Sequence, residues 1–201
     1  MKHSLVLYIH GKGGNAQEAA FYRDIFPASN VIGLEYRADT PWDFIDETQQ
    51  FVHDISLQYQ DITLIANSIG AFFAMNALSS LSIKKAYFIS PIVNMERLIA
   101  DMMTWANVSE QQLEQQKTIA TAFDETLSWE YLTYVRTHPI IWNIDTEILY
   151  GEKDNLTAFE TITAFADRVS AELTVMPNGE HWFHTQEQMD FLKHWITQKI
   201  R

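Results

Sequence analysis

The chain of 201 residues contains no cysteine. Disulfides, thiolate metal sites and a cysteine nucleophile are therefore excluded, and a cytoplasmic setting is the natural expectation. Basic residues are also scarce: 14 Lys and Arg stand against 26 Asp and Glu, a formal net charge of −12. Phosphate backbones and anionic lipid surfaces need clustered Lys and Arg. No such cluster occurs, so neither a nucleic-acid nor a membrane partner is expected. Long apolar runs are missing as well. The first, Leu5 to Ile9, ends after five residues at His10-Gly11, too short for a signal peptide or a membrane span. No linker, repeat or low-complexity tract divides the chain, so residues 1–201 read as a single domain.

What is present is a soluble-domain balance, 47% apolar and 20% charged residues, enough to form a core that offsets ordering entropy. Short apolar runs occur at 5–9, 30–34, 61–66, 84–89, 147–150 and 172–176. Their continuous apolar character predicts strands buried on both faces, as in a parallel sheet. Helical patterns fall between them, near 16–25, 42–58, 69–80, 157–170 and 184–199. The alternation predicts an α/β fold, a mainly parallel sheet of about six strands flanked by helices. Residues 92–144 are too many for a simple crossover. They read as a helical cap insertion over the strand ends, with Met102, Met103, Trp105, Leu113, Ile119 and Phe123 at helical positions. The tryptophans there fit the insertion's own core or an apolar acyl pocket.

Ligand sites in such folds lie at the carboxyl ends of the strands, and four loops there carry chemistry. Ala66-Asn67-Ser68-Ile69-Gly70 follows the third strand and opens a helix. A serine on a sharp strand-to-helix turn projects its hydroxyl above the sheet, and small residues two places away allow the tight packing. The same residues also suit a plain helix cap. His10-Gly11-Lys12-Gly13-Gly14 follows the first strand and offers inward-pointing amides. It matches neither the phosphate loop G-x-x-x-x-G-K-[ST] nor the dinucleotide pattern G-x-G-x-x-G, so no cofactor is expected. Asp154 stands beyond the fifth strand and His181 beyond the sixth. An acid there orients an imidazole, and a histidine there takes a serine proton.

The order Ser68, Asp154, His181, each at a strand end, with an amide-rich loop after the first strand, resembles the α/β-hydrolase family over nearly the whole length. The resemblance implies Ser68 as nucleophile, His181 as base and Asp154 as its orienting acid. It implies the backbone amides of Lys12 and Ile69 as oxyanion donors, and Asn67 and Trp182 as lining residues. The expected activity is a carboxylesterase-like serine hydrolase, cleaving an ester or thioester of a small to medium apolar acyl group through an acyl-enzyme. A non-catalytic binding protein of the same fold, an acyltransferase or a C–C hydrolase are the alternatives. His184 competes with His181, and Glu152 and Asp145 with Asp154. His-x-x-His with an acid also suggests a metal, but without H-E-x-x-H the pattern is unspecific and no metal is expected.

Overall fold

The computed structural model describes residues 4–79 and 81–200. Six parallel strands form the main sheet: β1 (Ser4–Ile9), β2 (Asn30–Leu34), β3 (Asp61–Asn67), β4 (Ile83–Ile89), β7 (Thr146–Gly151) and β8 (Glu172–Met176). Their spatial order is β2-β1-β3-β4-β7-β8. The chain steps from β1 to β2 on one side, then returns past β1 to place β3 on the other. Such a reversal opens a crevice beyond the carboxyl ends of β1 and β3. Ile9 and Ala66 are paired in register, so the loops leaving these two strands start level with one another.

Alternate side chains of β1 go to opposite faces, as a strand requires. Val6 and Tyr8 join a core with Tyr22, Ile25, Leu192, Trp195 and Ile196. Leu5, Leu7 and Ile9 are equally hidden, so both faces are covered, and this is why the strands read as unbroken apolar runs. The covering elements are a 3₁₀ helix (Ala16–Tyr22), α1 (Pro41–Gln58), α2 (Ile69–Ala77), α6 (Phe159–Val169) and α7 (Gln186–Lys199). Helix α1 starts on a Thr40 cap with Pro41 in its first turn, and Phe44 stacks on Phe73 of α2 at 5.2 Å. The first helical segment is shorter than its pattern suggests. It is 3₁₀ in type and gives way to turns after Tyr22.

The chain divides into two compact units, Asn94–Ile140 and the remainder. The smaller one comprises α3 (Met95–Trp105), α4 (Glu110–Gln116), α5 (Trp129–Thr137) and a hairpin of β5 (Thr118–Ala120) and β6 (Thr126–Ser128). The hairpin corrects the wholly helical reading of this segment. Lys117 at φ 68° closes α4, and Asp124 at φ 60° turns the chain back. Ile119 is thus a strand residue, and Phe123 sits in the turn. Side chains of Asn94, Ser109 and Ser128 cap the three helices, and such caps contribute about 1 kcal/mol each. Arg136 of α5 bonds to Glu96 and Glu110, tying the helices together. Leu113, Leu127 and Leu132 form the unit's buried centre, whereas Trp105 remains half exposed.

Candidate active site

Strand β3 ends at Asn67, and the chain turns into α2 through Ser68, which has φ 49° and ψ −123°. A non-glycine residue there is strained and persists only where its surroundings over-determine it. The anchors are visible. Ser68 N–H donates to the Ile89 carbonyl at 3.0 Å, and the Ser68 carbonyl accepts from Ile92 N–H at 3.0 Å. Gly70 makes the turn sterically possible, because a Cβ there would lie 2.2 Å from the His10 carbonyl oxygen. Ser68 occupies the cap position of α2, yet its side chain makes no capping bond. Its hydroxyl lies 2.8 Å from Nε2 of His181 instead.

His181 and Asp154 come from the loops after β8 and β7, neighbouring strands that pair up to Gly151 and Met176. The two loops are bonded to each other. Glu152 N–H donates to Met176 O at 3.0 Å, and Lys153 N–H donates to Gly179 O at 2.7 Å. Gly151 allows this approach, since a Cβ there would lie 2.5 Å from the Glu180 carbonyl oxygen. Asp154 Oδ2 is 2.7 Å from His181 Nδ1. Its Oδ1 accepts from the amides of Leu156 at 2.8 Å and Thr157 at 3.0 Å.

The Asp154 side chain is 0% exposed. Burying carboxylate oxygens without hydrogen-bond partners is costly, and here both have them. Because a carboxylate only accepts, Nδ1 of His181 carries the hydrogen, and Nε2 is left to accept from the Ser68 hydroxyl. Tyr150 ties down the same loop at Thr157. Its hydroxyl donates to the Thr157 carbonyl at 2.7 Å, and burial, aided by the Asp154 charge, pushes the phenol up to about 12.

The competing side chains are engaged elsewhere. His184 Nδ1–H donates to the Trp182 carbonyl at 2.7 Å. Glu152 accepts from the Asn178 amide at 2.8 Å. Asp145, at the amino end of β7, pairs with Lys85 at 2.9 Å.

In the loop after β1, Gly14 N–H donates to Gly11 O at 3.1 Å, with Lys12 and Gly13 as the central turn residues. Gly13 has φ 74°, the value a type II turn demands. His10 braces this loop: Nδ1–H donates to Gly11 O at 2.8 Å, and the ring stacks on Tyr36 at 4.2 Å. Ile69 begins α2, where first-turn amides have no intrahelical acceptor. A Cβ at Gly11 would stand 3.2 Å from that of Ser68, so the loop and the serine turn touch.

The Asn67 amide nitrogen donates to the Tyr8 hydroxyl at 2.9 Å. Trp182 is 72% exposed and stacks on His184 at 4.3 Å. Sequence reasoning passed over Tyr8 and Glu18. Glu18 had one legible signal, its place three residues after Asn15 in a capping box.

No protein-family model matches the chain, and no curated protein matches it either. Solved structures do. Est1E from Butyrivibrio proteoclasticus superposes with a TM-score of 0.73 at 16% identity, over 99% of this chain and 87% of that one. The alpha/beta hydrolase domain-containing protein 10 from mouse gives 0.75 at 14% identity, over 98% and 89%. A lipase-esterase related protein from Clostridium acetobutylicum gives 0.66 at 17%, over 98% and 94%. The chain has the α/β-hydrolase fold.

In this α/β-hydrolase fold the Ser68–His181–Asp154 chain of hydrogen bonds spans loops from β3, β8 and β7. All three residues belong to the larger unit. Among the described residues no group of three or more His, Asp or Glu is placed to hold a metal ion. Among them, too, no helix is long and apolar enough to cross a membrane.

Proposed function

We propose that the chain is a serine hydrolase of carboxylesterase type, acting on an ester or thioester of a small to medium apolar acyl group. The observation that carries this reading is the strained Ser68, whose hydroxyl caps nothing and bonds to a histidine oriented by a buried carboxylate. The names of structural neighbours, an esterase from Pyrococcus furiosus, a lipase-esterase related protein and a thioesterase domain, agree with it.

In this reading His181 Nε2 takes the Ser68 proton as Oγ attacks the substrate carbonyl carbon. Asp154 holds the ring and stabilises the imidazolium that forms. The amides of Lys12 and Ile69 receive the oxyanion of the tetrahedral intermediate. His181 then gives its proton to the departing alcohol or thiol. Water, deprotonated by the same imidazole, releases the acid and regenerates Ser68.

The test is labelling with a fluorophosphonate followed by peptide mapping, beside turnover of an ester chain-length series. The expected result is a single adduct on Ser68 in folded protein and none after heat denaturation. Ser68→Ala should lose about 10⁶-fold in kcat. Unchanged turnover in a folded Ser68→Ala protein would sink the assignment.

A further inference from the structure

We propose that Tyr8 is a positioning residue for Ser68, which fixes the serine turn relative to the loop of residues 10–14 through a Glu18–Tyr8–Asn67 relay. The inference rests on the reading of Ser68 as nucleophile. Tyr8 lies on β1 beside Ile65 of β3 and is 1% exposed. Its hydroxyl donates to Glu18 Oε2 at 2.5 Å and accepts from Asn67 Nδ2 at 2.9 Å. The directions are forced. A carboxylate only accepts, so the phenol spends its one hydrogen there and meets the amide through a lone pair. That sets the Asn67 carboxamide, the side chain immediately before Ser68, in one orientation. Its Oδ1 is thereby buried with no hydrogen-bond partner among the described residues.

The other end of the relay meets the second loop. Glu18 Oε1 accepts from Asn15 N–H at 3.2 Å. A Cβ at Gly14 would stand 2.9 Å from that same oxygen, so the carboxylate lies flat against the end of the Lys12 turn. One acid thus connects the loop after β1 with the turn after β3. These are the two segments that would supply the oxyanion donor and the nucleophile.

The strained Ser68 backbone is pinned from the β4 side by Ile89 and Ile92. The relay adds a constraint from the β1 side, through the side chain of Asn67. A tyrosine that merely filled the core would be served as well by phenylalanine, which would bury no hydroxyl. Burial above all, then the neighbouring Tyr22 and the Glu18 hydrogen bond, hold the Tyr8 phenol far above the usual tyrosine range. It therefore remains a hydrogen donor at neutral pH.

The experiment measures the rate constant for fluorophosphonate reaction at Ser68, with ester kcat and KM, in wild type, Tyr8→Phe, Glu18→Ala and Glu18→Gln. Tyr8→Phe should slow both labelling and kcat by about 10- to 100-fold, as displacement of a reacting group does. Its KM should stay within about twofold of wild type. Glu18→Ala takes away the acceptor of the Tyr8 hydroxyl and should behave likewise. Glu18→Gln keeps an acceptor for the phenol and should recover most of the loss. A folded Tyr8→Phe protein that labels and turns over at the wild-type rate overturns the relay, whatever its melting temperature. If Tyr8→Phe does not fold, a wild-type rate in Glu18→Ala does the same. Wild-type protein that fails to label overturns the serine reading itself, so the two failures are told apart.

Discussion

Gly70 presses its Cα against the carbonyl of His10, so that a methyl group there would sit 2.2 Å from the oxygen. This contact joins α2 to the loop after β1. Both sides are backbone, and neither can swing aside. Gly70→Ala should therefore cost about 1–3 kcal/mol in stability, as overpacking does. For a chain of this size that is a drop of several degrees in Tm, at about 2–4 °C per kcal/mol. Fluorophosphonate labelling of Ser68 should fall with it, because the serine turn moves. Calorimetry with labelling on the same sample checks both.

Asp154→Asn should keep the fold and lose the chemistry. The amide oxygen can still accept from Leu156 and Thr157. The amide nitrogen then faces His181 and forces the hydrogen onto Nε2, where it opposes the Ser68 hydroxyl. The expected loss in kcat is about 10⁴-fold. Steady-state kinetics with a circular dichroism control tests it, and a loss below tenfold would argue against the orienting role.

The assignment of the Lys12 amide admits a clean probe. Lys12 is the second residue of its turn, a position that accepts proline readily. Lys12→Pro removes the N–H and should lower kcat by about 10²- to 10³-fold, the usual effect of losing one oxyanion donor. Lys12→Ala keeps the N–H and should retain activity. Equal activity in both variants would move the donor elsewhere.

Alkaline titration should reveal the buried tyrosines. Burial raises Tyr8, Tyr22 and Tyr36 above the ordinary value of 10.0. The unfolded chain releases these protons near pH 10, and the folded chain retains them to higher pH. Above pH 10 the unfolded state thus binds fewer protons, and stability falls as pH rises. Their contribution is fully present below pH 10 and is lost progressively toward the folded values. Ultraviolet difference spectra should show these tyrosinates appearing together with unfolding rather than before it.

The six main strands were legible to within about two residues as short apolar-rich runs, clearest in β1 and β7, which are buried on both faces. The candidate site was legible through position: Ser68, Asp154 and His181 each follow such a run, and hydrogen bonds link the three. The β5–β6 hairpin was not, since its turn relies on Asp124 at positive φ and no glycine or proline punctuates it. The choice of His181 over His184 came from resemblance, because both follow β8 by a few residues. Tyr8 escaped notice because an aromatic in a buried strand looks like core, and its hydroxyl acquires meaning only once Asn67 and Glu18 are brought to it.

The main sheet ends at β8, and the His181 loop is carried by that last strand. Edge elements open at lower free energy than central ones. Ser68 follows a central strand and His181 the marginal one, so partial fraying of β8 separates them while β1, β3 and β4 remain paired. Heat or denaturant should therefore silence turnover ahead of the main unfolding transition, making catalytic rate a finer gauge of the sheet's margin than any whole-molecule melting curve.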